Sequence, residues 1–211
     1  MTERGNELPA HWERVYQTSA DTAASWYQPK PRTSLELIEK TGVPPDAALI
    51  DVGAGSSTLV DHLMASGYRD VTLLDISPTA LAHARARLGA AATRLHWVTA
   101  DIIDFQPLRR YTLWHDRAVF HFLIDPYHRD RYLAALGRSL APDGHLLLST
   151  FGPAGPTRCS GLPVQGYSEA ELSAVLGPAF RLRESRLEDH ETPSGKQQQF
   201  LYGWWTLKDY G

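Results

Sequence analysis

The stretch Ala48-Leu49-Ile50-Asp51-Val52 is an apolar run of strand length that does not alternate, and it leads straight into Gly53, Ala54 and Gly55. Such a run fits a strand covered on both faces, as inside a parallel sheet. Parallel neighbours need crossover connections, usually helices, so this feature demands strands alternating with helices. The sequence supplies them. Residues 58–64 have helical spacing and close at Gly67, and Val71-Thr72-Leu73-Leu74-Asp75 reads as a second strand. Ser77-Pro78 reads as an N-cap with proline in the first turn of a helix through Leu88. His96-Trp97-Val98-Thr99-Ala100-Asp101 and Tyr111-Thr112-Leu113-Trp114-His115-Asp116 give a third and a fourth strand. An amphipathic helix over 128–140 and a turn at Pro142-Asp143-Gly144 lead into a fifth strand over 145–150.

The flanks read differently. Residues 1–34 carry Trp12, Tyr16, Trp26 and Tyr27, and then Gln28-Pro29-Lys30-Pro31, which forbids a continuous helix. A short helix starts at Ser34, with Leu35, Leu37 and Ile38 on its apolar face, and stops near Gly42. After Gly152 comes a Gly-, Pro- and Ser-rich loop long enough to be functional or mobile. Ser168-Glu169-Ala170-Glu171 caps one more helix, and alternating segments over 180–187 and 199–207 predict a closing hairpin. The expected fold class is α/β: a doubly wound, mostly parallel sheet with an antiparallel C-terminal hairpin. A length of 211 residues suits one domain. Within it, 1–46 reads as a helical cover, 47–151 as the binding core, and 152–211 as a further loop, helix and hairpin.

Composition narrows the function. Lys plus Arg number 21 against 24 Asp plus Glu, a net charge of −3, so a nucleic-acid partner held by phosphate contacts is not expected. The single cysteine, Cys159, precludes an internal disulfide and a multi-cysteine metal site. No apolar run approaches the ~18 residues needed to span a bilayer. Met1-Thr2-Glu3-Arg4-Gly5 lacks the apolar core of a secretory signal. A cytoplasmic protein with no membrane partner is the expectation.

The acids at the strand ends carry the chemistry. Asp51, Asp75, Asp101 and Asp116 each close one strand, where open parallel sheets bind ligands. Gly53 and Gly55 let backbone approach a ligand closely, with helix N-terminal amides behind them. A dinucleotide fingerprint would place a third glycine where Thr58 stands. Asp51 would add negative charge beside a pyrophosphate, which weakens a nicotinamide oxidoreductase reading. It suits a ligand with an ammonium group and no phosphate. Asp75 lies 22 residues beyond Gly53, the spacing of an acid that accepts ribose hydroxyls.

In order along the chain, Asp51-Val52-Gly53-Ala54-Gly55-Ser56-Ser57, Leu74-Asp75-Ile76-Ser77, Thr99-Ala100-Asp101-Ile102 and Leu140-Ala141-Pro142-Asp143-Gly144-His145 resemble the motifs of class I S-adenosylmethionine (SAM)-dependent methyltransferases. Ser57 stands where that family often has a third glycine. The resemblance implies a seven-stranded, Rossmann-like sheet with SAM as cofactor and S-adenosylhomocysteine (SAH) as product. It implies that Gly53 and Gly55 pack on the cofactor, Asp51 holds its methionine end and Asp75 takes the ribose hydroxyls. Asp101 would accept from the adenine amino group, with Ile76 and Ile102 on the ring, although core packing explains the two isoleucines equally. His11-Trp12-Glu13-Arg14-Val15-Tyr16 and Ser25-Trp26-Tyr27-Gln28 resemble the leading segment of lysine methyltransferases of elongation factors and citrate synthase, and more distantly of thiopurine methyltransferases. That resemblance implies Trp26 and Tyr27 as a cofactor cover; docking of an N-terminal helix on the sheet is the alternative.

The acceptor is read from strand four. Methyl transfer is an in-line displacement in which the protein holds the acceptor and removes its proton where needed. The Asn/Asp-Pro-Pro-Tyr/Phe motif of base-methylating enzymes is absent. Trp114-His115-Asp116-Arg117-Ala118 resembles the family's strand-four motif, an Asp followed by Lys or Arg and a small residue. Asp116 is expected to line the acceptor pocket, with His115 or His121 as base. His121 and His128 lack a third ligand at metal-like spacing, so no metal is expected. The 151–167 loop, with Arg158 and Cys159, is expected to edge the pocket. The favoured function is methyl transfer to a small-molecule N, O or S acceptor, by a monomer or homodimer. A protein lysine N-methyltransferase and a non-catalytic SAM-binding scaffold are the alternatives.

Overall fold

The computed structural model describes residues 4–208. Helix α1 spans Arg4–Thr18 and α2 Arg32–Thr41, ahead of strand β1 at Leu49–Val52. Then follow α3 (Leu59–Ala65), β2 (Val71–Asp75), α4 (Pro78–Leu88), β3 (His96–Thr99) and β4 (Tyr111–Arg117). Helix α5 (Pro126–Ser139) leads to β5 (Leu140–Phe151), a small pair β6 (Arg158–Cys159) and β7 (Leu162–Pro163), and α6 (Glu169–Leu176). Strands β8 (Phe180–Glu191) and β9 (Gln197–Leu207) end the described chain.

The main sheet has seven strands in the order β3-β2-β1-β4-β5-β9-β8. β1 to β5 run parallel, β9 is antiparallel to β5, and β8 is antiparallel to β9. This is the expected doubly wound sheet with its terminal hairpin. Leu49, Ile50 and Val52 are buried because helices cover both faces. Leu49 and Leu113 pack with Leu37, Ile38, Leu59 and Leu63 on one face. Ile50 and Trp114 pack with Tyr132, Leu136, Leu172 and Leu176 on the other. Strand order reverses between β1 and β4, the crevice where such sheets take ligands.

Local expectations hold at the caps. Ser77 Oγ accepts from Ala80 N–H at 3.1 Å, and Ser168 with Glu171 forms a capping box. The boundaries differ in three places. β5 begins at Leu140, opposite Tyr111, and regular pairing resumes at His145 opposite Leu113, so the 142–144 turn is an excursion within the strand. The terminal strands reach Glu191 and Gln197 because backbone pairing in a hairpin continues past the apolar side chains that reveal it. The β6–β7 pair inside the 152–167 loop has two residues per strand, too short for a periodic signal.

The N-terminal cover is two helices joined by a strap over 19–31. α1 lies on the start of α4, where Glu13 Oε2 accepts from Ser77 Oγ at 2.6 Å and from Thr79 N–H at 3.3 Å. Thr79 Oγ1 donates to Glu13 Oε1. These bonds from Ser77 and Thr79 hold the Glu13 carboxyl below its usual range, and a helix N-terminus favours an anion there. The strap then crosses to the opposite edge: Asp21 meets His83 at 3.0 Å, and Ser25 O accepts from His190 Nε2 at 2.8 Å. Gln28 Nε2 donates to Glu188 Oε1 at 3.0 Å. Glu13→Ala should therefore speed amide exchange within α1, by about fivefold for a lost anchor of about 1 kcal/mol, while the sheet amides stay protected. Hydrogen exchange read by mass spectrometry checks this; unchanged α1 rates would remove Glu13 as the latch.

Candidate functional site

Beneath the strap, at the carboxyl ends of β1, β2 and β4, lies a cavity whose wall begins with the glycine loop. Gly53 and Gly55 have φ of +65° and +53°. A Cβ on Gly53 would stand 2.0 Å from Val119 Cγ2, and one on Gly55 would stand 2.3 Å from the Tyr16 hydroxyl. Only glycine fits both the conformation and the crowding. From α4, Arg87 clamps the loop, donating to Ser56 O and Ser57 O at 2.7 Å each and pairing with Asp61 at 2.8 Å.

Two buried carboxylates face the cavity. Asp75 accepts from Gly55 N–H and Ser77 N–H, both at 2.8 Å, and burial pushes its carboxyl up to about 6. Asp51 Oδ1 lies 2.7 Å from His115 Nδ1, and His115 Nε2 lies 2.9 Å from Ser34 Oγ. All three members of that relay are buried. Asp101 accepts from Ile103 N–H at 3.1 Å, and burial raises its carboxyl too. Ile76 and Ile102 line the same cavity as Asp75 and Asp101.

Across from the acids stands an aromatic wall. Trp12 meets Trp26 edge-on at 5.8 Å and Phe122 at 5.1 Å, and Tyr16 meets Trp26 at 6.4 Å. Beside it Arg117 donates from one guanidinium nitrogen to Trp26 O at 2.9 Å. Cys159, whose thiol burial shifts upward, reaches the same wall from the 152–167 loop.

One cavity thus gathers Trp26, Asp51, Gly53, Asp75, Ile76, Asp101, Ile102 and His115 from the expected site residues. Gly55 sits under Tyr16 and Tyr27 lies away; neither lines it. Two expectations are corrected. Asp116 is fully buried on the opposite face, accepting from Tyr132 Oη at 2.7 Å and from Val119 N–H at 2.9 Å. Side chains alternate along a strand, so with His115 and Arg117 at the cavity, Asp116 must face the core. His121 is also fully buried. The helical turn at Phe120–Phe122 tucks it under β5, where its ring stacks on Phe151 at 4.4 Å.

Sequence reasoning passed over Ser34, Arg87, Arg117 and Phe122. Alternation outward from His115 would have found Arg117. No local signal marks Ser34, Arg87 or Phe122, which reach the site from other elements.

A family model described as a methyltransferase domain matches residues 50–146, somewhat under half of the chain. EEF1A lysine methyltransferase 2 of Mus musculus is 24% identical over 82% of this chain and 72% of its own length. The chain spans only 11% and 34% of two further eEF1A methyltransferases, from zebrafish and human. A Burkholderia thailandensis 1,6-didemethyltoxoflavin-N1-methyltransferase structure with SAH bound superposes with a TM-score of 0.75 at 23% identity, covering 98% of this chain and 90% of that one. The N-methyltransferase NodS of Bradyrhizobium japonicum WM9, in complex with SAH, gives 0.72 at 16% identity, covering 95% and 99%. Residues 50–146 thus match a methyltransferase domain, and the chain has the class I fold of these SAM-dependent methyltransferases.

No three His, Cys, Asp or Glu side chains among the described residues group to hold a metal ion. None of the described helices is long and apolar enough to cross a membrane.

His121 makes the fold sensitive to acid. Its Nδ1 accepts from Phe151 N–H at 3.2 Å, its Nε2 has no partner, and burial drops the imidazole to about 3. The unfolded chain takes up a proton near pH 6.5 that the folded chain refuses until about pH 3. Stability from this group is therefore full above pH 6.5 and declines as pH falls, by about 1.4 kcal/mol per unit. Asp75 and Asp116, both raised to about 6 by burial, act oppositely below that pH. The readout is thus the difference from His121→Phe, whose deficit relative to wild type should shrink from pH 6.5 to 4.5 in urea titrations. Parallel pH profiles would show that the native imidazole charges normally.

Proposed function

We propose that this methyltransferase acts on a small-molecule N, O or S acceptor enclosed between the strap and β4. The observation that carries the reading is enclosure. α1 is latched at Ser77 and Thr79, the strap is pinned at His190, and Trp12 and Trp26 close over Phe122. Such a roof leaves a pocket instead of an open groove for a protein segment. The residues present fit the cofactor: buried carboxylates suit its ammonium and ribose groups, and the glycine cradle has no room for a side chain.

In this reading Asp51 receives the methionine ammonium, and His115, with both ring nitrogens engaged, orients that carboxylate. Asp75 accepts from the ribose, while Ile76, Asp101 and Ile102 receive the adenine. The cofactor supplies an activated methyl group. The chain's own residues supply position and exclusion of water, the main demands of an in-line displacement. Asp116 and His121 have no part in it.

The mouse lysine methyltransferase, similar over most of this chain, favours protein lysine methylation as a second reading. Methyl-labelled SAM incubated with the protein and a lysate of its source separates the two. The small-molecule reading expects label in the acid-soluble fraction; label in the precipitated protein would establish the second.

The Asp75 assignment has its own test. Ribose hydroxyls donating to Asp75 favour its ionised form, so SAH binding should weaken as pH falls through about 6, by up to about tenfold per unit. Calorimetry between pH 7.5 and 5 should show proton release on binding, and Asp75→Asn should flatten the profile. A flat wild-type profile would take Asp75 out of the ribose site.

A further inference from the structure

Arg117 presents a charge that the fold leaves uncompensated. Its Nη2 is fixed on Trp26 O at 2.9 Å, whereas Nη1 is buried with no hydrogen-bond partner. No carboxylate lies within ion-pair distance of it among the described residues. Glu188 of β8 is already engaged by Gln28 and Thr33. The guanidinium lines the cavity beside the aromatic wall. The strand leaves Arg117 through Ala118 at a φ of +75°, a strained conformation for a residue with a Cβ. Arg117 is half-buried, and an occluded guanidinium N–H without an acceptor is costly.

We infer that the acceptor is a compact molecule carrying a carboxylate or equivalent anionic oxygen, with its apolar body against the wall of Trp12, Trp26 and Phe122 and its anion on Arg117 Nη1. The inference rests on the small-molecule reading above and narrows it. A guanidinium matches a carboxylate in charge and in hydrogen-bond geometry, and the wall of Trp12, Trp26 and Phe122 offers an apolar surface beside it. The same cation repels a lysine ammonium. A carboxylate could also come from the methionine end of the cofactor. Placement favours the acceptor: Arg117 on β4 stands on the hairpin side of Asp51 on β1, within electrostatic reach of Tyr202 on β9 and His190 on β8.

The test uses the whole protein with methyl-labelled SAM and deproteinised lysate of its source, the products being passed over a strong anion exchanger at pH 8. The expected labelled product is retained. Arg117→Met should cut its formation at least tenfold while SAH affinity, measured by calorimetry, stays within twofold. Arg117→Lys, which keeps the cation, should form more product than Arg117→Met and guards against simple misfolding. A labelled product that passes the exchanger, or undiminished formation by Arg117→Met, overturns the inference and leaves the small-molecule reading standing. A tenfold loss of SAH affinity in Arg117→Met assigns the carboxylate to the cofactor and also overturns it. Label found only in precipitated protein with undepleted lysate defeats the small-molecule reading itself.

Discussion

The pairing of β1 with β4 is the constraint on which the site depends. Asp51 stands opposite His115 and Val52 opposite Asp116. With side chains alternating across the sheet, this register sends Asp51, His115 and Arg117 to the cavity and Trp114 and Asp116 to the core. A shift of β4 by one residue would turn His115 and Arg117 to the core and Trp114 and Asp116 to the face of Asp51. The buried contacts between Asp51, His115 and Ser34 on one face, and between Trp114, Tyr132 and Asp116 on the other, make the shifted register costly.

The strap supplies what the sheet alone lacks. An open parallel sheet offers a crevice, and a crevice leaves a reacting sulfonium exposed to water. Here α1 rests on α4 through Glu13, and the chain then runs to β8 before turning back into α2. Its aromatic residues form the roof, and Tyr16 lies against the glycine loop. The cavity is consequently two-sided in charge, with Asp51 and Asp75 toward β1 and β2 and Arg117 toward the hairpin.

Much of the fold was legible before any coordinates. Unalternating runs at 48–52 and 71–75 read as buried strands because both faces of a parallel sheet are covered, and Ser77 and Ser168 read as caps because their bonds are local. The glycines and the acids of β1, β2 and the loop after β3 were legible too, since spacing along consecutive βα units fixes them at one edge. Asp116 and His121 misled for a shared reason: proximity in sequence to the site says nothing of the direction a side chain faces. Arg117, one residue on from Asp116, points to the cavity.

The sequence by itself determined the alternation of strands and helices, the parallel order they imply, and the run of acids and glycines that gathers at the strand ends. These follow from periodicity, turn chemistry and capping, all interactions between near neighbours in the chain. Only the tertiary structure decided that Ser34 meets His115, that Glu13 latches α1 to α4, that Arg87 grips the glycine loop, and that Arg117 is left without a counter-charge beneath Trp26. Most of those contacts join residues dozens of positions apart, and even the exposure of Arg117 to the cavity depends on what the strap covers. Such pairings are set by packing, which no local pattern records.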